Sequence, residues 1–94
     1  MQPSPVVELN RAVAISRAQG PAAALPLVQA LASRPQLAQY HLLPAVMADL
    51  LSRLGRSDQA RAMWLRAAEL TRNARERELL LARVHTTPPE GGKS

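Results

Sequence analysis

The chain reads as an all-α protein, and three observations say so. Almost half of its 94 residues are apolar, yet phenylalanine is absent and there is one tyrosine and one tryptophan. Alanine and leucine fill the apolar positions; both are strong helix formers, while the aromatic residues that favour strands are nearly missing. Gly20 and Gly55 stand 35 residues apart. Each follows an apolar, Arg-bearing stretch and precedes an Ala-rich one: RAVAISRAQGPAAALPLVQALA, then AVMADLLSRLGRSDQARAMWLRAAEL. Helical periodicity on both sides of a glycine turn, met twice, predicts two antiparallel helical hairpins.

The elements follow in order. Residues 1–4 read as a linker end, and Pro5 suits the start of a helix. The first helix is predicted over Val6 to Gln19, with Val6, Leu9, Ala12, Val13 and Ser16 on one stripe and Glu8, Arg11 and Arg17 off it. Gly20-Pro21 ends it. A second helix is predicted from Ala22 to Ser33 on Leu25, Val28, Leu31 and Ala32, with Pro26 near enough to its start to be tolerated. Arg34-Pro35 closes the hairpin. The third helix is predicted from Tyr40 to Leu54, Pro44 falling in or just beyond its first turn. Its stripe is Leu43, Val46, Met47, Leu50, Leu51 and Leu54. After Gly55-Arg56, Ser57 is the expected N-cap, with Asp58 near the helix's positive end. The fourth helix, Asp58 to Thr71, buries Ala60, Met63, Trp64, Ala67 and Leu70. Asn73 with Glu76 three residues on has the form of a capping box. It opens a fifth, capping helix to His85 with Leu79, Leu80 and Val84 on its apolar side. Residues 87–94 offer Pro and Gly but nothing to bury, and a disordered tail is expected there. One helical domain over residues 5–86 is the result.

Composition narrows the function classes. There is no cysteine, hence neither a disulfide framework nor a thiolate metal site. The N-terminus lacks a basic segment followed by a long apolar stretch, so no secretory signal is expected. No apolar run approaches the ~20 residues of a membrane span. These features predict a soluble cytoplasmic protein. The formal charge of +5 comes almost wholly from arginine, the one lysine being Lys93. The arginines are spread along the chain rather than gathered in one block, which points to a solvated surface ahead of a nucleic-acid footprint.

A period near 34 residues, with a helix on either side of a glycine turn, is the signature of tetratricopeptide-type repeats. The second hairpin fits that pattern: Ala48 is the small residue of its first helix, Gly55 the turn, Ala60 the small residue of its second helix, Trp64 the aromatic and Ala67 the next small residue. Arg72-Asn73 stand where the pattern's proline would close it. The first hairpin is degenerate, with Val13 at the first small position and Leu25 or Ala24 at the second. The fold expected is two hairpins and a capping helix, a fragment of a tetratricopeptide-like α-solenoid.

Several pieces resemble a specific family: Ser4-Pro5-Val6-Val7, Leu9-Asn10-Arg11-Ala12-Val13-Ala14, Tyr40-His41-Leu42-Leu43, Leu54-Gly55-Arg56 and Thr71-Arg72-Asn73. Together they are similar to the C-terminal extension of bacterial extracytoplasmic-function sigma factors, which append a tetratricopeptide-like helical domain to their promoter-binding regions. The resemblance spans Ser4 to Val84; Pro44 departs from the non-proline residue expected there. It implies a domain of a longer sigma factor, with the −10-binding helices and the −35-reading helix-turn-helix outside these residues. The partners implied are the rest of the factor and RNA polymerase, with no direct promoter contact from this segment.

No catalytic constellation is visible, and no metal or cofactor is expected. His41 and His85 share no motif with a nucleophile, and HExxH, GxSxG, Walker A and GxGxxG are absent. Asp49, Glu69, Glu76 and Glu78 read as ion-pair or capping groups. Carried over by position, the repeat pattern lines a concave groove with Val7, Asn10, Ala14 and Arg17, then Leu42, Ala45, Asp49, Ser52 and Arg53. Asn10, Arg17, Asp49 and Arg53 are its polar handles and the candidate protein-binding residues; arginine there can take a carboxylate bidentately. A structural role for Asn10 and Asp49 is an equal alternative. Tyr40-His41 is expected to pack where the two repeats meet, and Trp64 in the core. With two and a half repeats, Val6, Val7 and Leu9 lie near an uncapped end, which predicts docking onto the rest of the factor or pairing with a second copy. Two other readings compete: a free-standing adaptor that binds a peptide or protein, and direct nucleic-acid binding through the arginines.

Overall fold

In the computed structural model, which describes residues 5–86, the chain forms α1 (Pro5–Gln19), α2 (Pro21–Leu31), α3 (Leu42–Arg53), α4 (Ser57–Leu70) and α5 (Ala74–Thr86). A short 3-10 turn (Pro35–Leu37) lies between α2 and α3. Among the described residues there is no strand. The all-α expectation holds, while the linker at 1–4 and the tail at 87–94 lie outside the described residues. No described helix is long and apolar enough to cross a membrane.

Each helix packs chiefly on the next in sequence: α1 on α2, α2 on α3, α3 on α4, α4 on α5. Alanines set the spacing. Ala12, Ala24, Ala48, Ala60 and Ala67 are all at most 1% exposed, so backbones approach closely at these points and a larger side chain has no space. Ala12 and Ala48 stand 36 residues apart, as do Ala24 and Ala60. This corrects the small position expected at Val13: the buried small residue is Ala12, and Val13 is only partly covered. In the second helix Ala24 takes the small position, with Leu25 buried beside it.

The two turns differ. After α3, Arg56 N–H donates to the Leu51 carbonyl (2.9 Å) and Gly55 N–H to that of Ser52 (3.1 Å). With Gly55 at φ 80 this is a Schellman termination. At the first turn Gly20 is the sole residue between α1 and α2, at φ 95 and ψ 162. Pro21 starts α2 at the position where a missing N–H costs nothing.

Local chemistry shifts other boundaries. A helix begun at Tyr40 would require Pro44 to donate to the Tyr40 carbonyl; instead Leu43 N–H donates to it at 3.1 Å. The helix proper starts at Leu42, leaving Pro44 in its first turn, where no intrahelical donor is needed. Ser57 is not the N-cap: Arg56 holds that position without a side-chain cap, and Ser57 is the first helical residue, 8% exposed. The loop before α3 is anchored by Leu37, 2% exposed and absent from the predicted stripes. On α5, Leu80 is buried but Leu79 is 63% exposed, and Leu81 with Val84 packs against the core instead. Leu9, expected near an open end, is 3% exposed, whereas Val6 and Val7 remain exposed.

Candidate functional site

Two features draw polar side chains together. The first is a cleft of about 230 Å³ between α1, α3 and α5, floored in part by α4. Arg17, Asp49 and Arg53, three of the four predicted handles, line it. Their placement follows from helix geometry: Asp49 and Arg53 are four apart on α3, one turn over the other, and the Arg53 Nε–H donates to Asp49 Oδ2 at 3.0 Å. Arg17 comes from the last turn of α1, where a cation suits the helix's negative end. Asn10 is exposed and does not line this cleft. Neither do Val7, Ala14, Leu42 or Ser52; Ala45 does.

The sequence reading missed Arg83. It reaches from α5 across the ring of Trp64, its guanidinium carbon 5.0 Å from the ring centroid, a cation–π contact. Trp64 is 6% exposed and belongs to the core as expected, yet it also lines the cleft. Nothing in the local pattern around Arg83 marks it, because the contact depends on how α5 crosses α4. Val13, Val46 and Leu50 supply apolar lining.

The second feature is a junction where α5 begins. The Thr71 hydroxyl donates to Glu76 Oε1, and His41 Nε2 lies 2.8 Å from the same oxygen. The Asn73 carboxamide oxygen accepts Glu76 N–H at 3.0 Å. Asn73 N–H turns to Thr71 Oγ1 (3.2 Å) rather than to the Glu76 carboxylate. The capping box is thus half formed, because the glutamate is drawn away by Thr71 and His41. These contacts hold the Glu76 carboxyl below its ordinary value, the Thr71 hydrogen bond contributing most and His41 adding to it, against a smaller opposing effect of burial. Arg77 completes the junction by donating to the carbonyls of Ala68 (3.2 Å) and Thr71 (2.8 Å).

Tyr40 packs against the core, and its ring meets that of His41 edge-on at 5.8 Å. His41, expected between the hairpins, ties α3 to α5. Of the other acidic groups, Glu69 lies 3.8 Å from Arg66. Glu8 pairs with Arg34 at 2.8 Å, fastening α1 to the loop after α2. Among the described residues no group of three or more His, Cys, Asp or Glu is placed to hold a metal ion.

Comparison with known proteins gives one informative relative. The chain is 47% identical over 76 residues to an uncharacterized protein of Rhizobium meliloti (strain 1021), a match covering 81% of this chain and 18% of that protein. The chain therefore spans under a fifth of the length of the curated relative it matches. No family model matches the sequence, and no solved structure matches it.

Proposed function

We propose that this chain is a non-catalytic interaction domain of an extracytoplasmic-function sigma factor. In this reading α1–α2 and α3–α4 are tetratricopeptide-like hairpins, α5 is their cap, and the domain adjusts transcription initiation through contacts with the rest of the factor or with RNA polymerase. The observation that carries it is a convergence. Tyr40-His41 and Thr71-Arg72-Asn73 are separate pieces of the family resemblance, and His41 and Thr71 bind one carboxylate oxygen of Glu76. Two further points support the reading. The 36-residue recurrence of buried alanines fits a duplicated hairpin. The relative is more than five times as long as the 76 residues it shares, which fits a module carried by a larger protein.

The test is transcription by the full-length factor with and without residues 4–84. Loss or gain of promoter-dependent transcript is expected on deletion; unchanged transcription together with unchanged polymerase binding refutes the proposal. The cleft equally suits a free-standing adaptor, and the reading frame discriminates the two. The sigma-factor reading expects promoter-binding helices encoded upstream of these residues; the adaptor reading expects none.

A further inference from the structure

We propose that the cleft between α1, α3 and α5 binds an acidic peptide segment, a carboxylate side chain set beside an apolar one. This deepens the interaction-domain reading and rests on it for the partner, though not for the chemistry. Arg17, Arg53 and Arg83 arrive from three different helices and line one cleft with a single aspartate, Asp49. Arg17 therefore brings positive charge to this small site beyond the Arg53–Asp49 pair. Asp49 is already engaged by Arg53, and Arg17 has no ion pair among the described residues. A guanidinium offers a planar fork of donors that a carboxylate accepts bidentately. Arg83 rests on the Trp64 ring, which holds its head group in place before a ligand arrives and lowers the ordering cost of binding.

Size and lining select the rest of the ligand. About 230 Å³ is below the ~300–1,000 Å³ usual for small-molecule sites, and it suits one or two side chains. Val13, Val46 and Leu50 beside the arginines favour an apolar neighbour for the carboxylate. A nucleic acid fits less well. The Trp64 ring, 6% exposed and covered by Arg83, offers no face for a base to stack on.

The experiment is an NMR titration of the whole 94-residue chain at low salt, following the Trp64 indole and the arginine Nε–H signals. The probes are acetyl-Leu-Asp-Glu-Leu-amide, its neutral counterpart acetyl-Leu-Asn-Gln-Leu-amide, and a ten-residue oligothymidylate. The acidic peptide is expected to shift Arg17, Arg53, Arg83 and Trp64 together and to bind about tenfold more tightly than the neutral one. Arg17→Gln, an exposed change whose folding is checked by circular dichroism, is expected to weaken it about fivefold or more; Arg53→Gln serves as the second variant. The proposal is overturned by silent signals, by equal binding of the neutral peptide, by wild-type affinity in both variants, or by tighter binding of the oligothymidylate at the same signals. A silent cleft with altered transcription on deletion removes this inference and leaves the sigma-factor reading; a binding cleft with unaltered transcription does the reverse.

Discussion

Gly20, at φ 95 and ψ 162, occupies a region of backbone space open essentially to glycine alone. A Cβ added there meets nothing within 4 Å, and the same holds at Gly55. Any cost of substitution is thus conformational and not steric. Gly20→Ala is expected to lower stability by about 1–3 kcal/mol, read from the urea midpoint at unchanged m-value; an unmoved midpoint contradicts it. Both turns were legible because Gly-Pro and Leu-Gly-Arg are explicit stop signals. Their geometry was not, since the sequence does not say whether one residue or three separate the helices. That difference sets which residues face inward: the glycines are 35 apart, the buried alanines 36, and the one-residue slip moves the small position from Val13 to Ala12.

Among the elements, α5 is the one whose placement rests most on polar contacts. Glu76 receives Thr71 and His41, so its start is tied to the α4–α5 link and to the residue ahead of α3. Because the folded carboxyl titrates below its unfolded value of 4.5, the folded state binds that proton more weakly. The stabilisation is therefore complete above the unfolded value and is lost as pH falls through the folded one. Between about pH 5 and pH 3 the unfolding free energy of the native chain is expected to fall more steeply than that of Glu76→Gln. Thr71→Val, which removes the larger cause, should lie between them; parallel curves for all three contradict the assignment. The capping signal at Asn73 was readable because it is local. The long-range pull of His41 was not, and it leaves Asn73 N–H to Thr71. Likewise, helical spacing alone admits Leu79, Leu80 and Leu81 to the apolar side; only the crossing of α5 over α4 exposes Leu79 and covers Leu81.

Across the described residues, packing runs chiefly from each helix to its neighbour in sequence, so α1 and α5 each pack mainly on one helix. At the α1 end Val6 and Val7 are 38% and 49% exposed. In the tetratricopeptide-like reading proposed above, an array shorter than about three repeats leaves such a face open. The isolated chain is accordingly expected to self-associate reversibly, its mean mass by light scattering rising with concentration. A strict monomer over that range, with Val6→Ser and Val7→Ser making no difference, contradicts this. The cleft is also a property of the whole: Arg17, Asp49 and Arg53 were readable as polar positions on two helices, but Arg83 joins them only once α5 lies over Trp64.

The sequence by itself determined the helical class, the number of helices and most of the core, because helix periodicity, proline, glycine and capping side chains act within a few residues of themselves. Tertiary structure decided the register between the hairpins, the half-formed cap at Asn73 and the membership of the cleft. Those depend on close approach of alanine-lined backbones and on side chains meeting from distant positions. No window of local sequence encodes them.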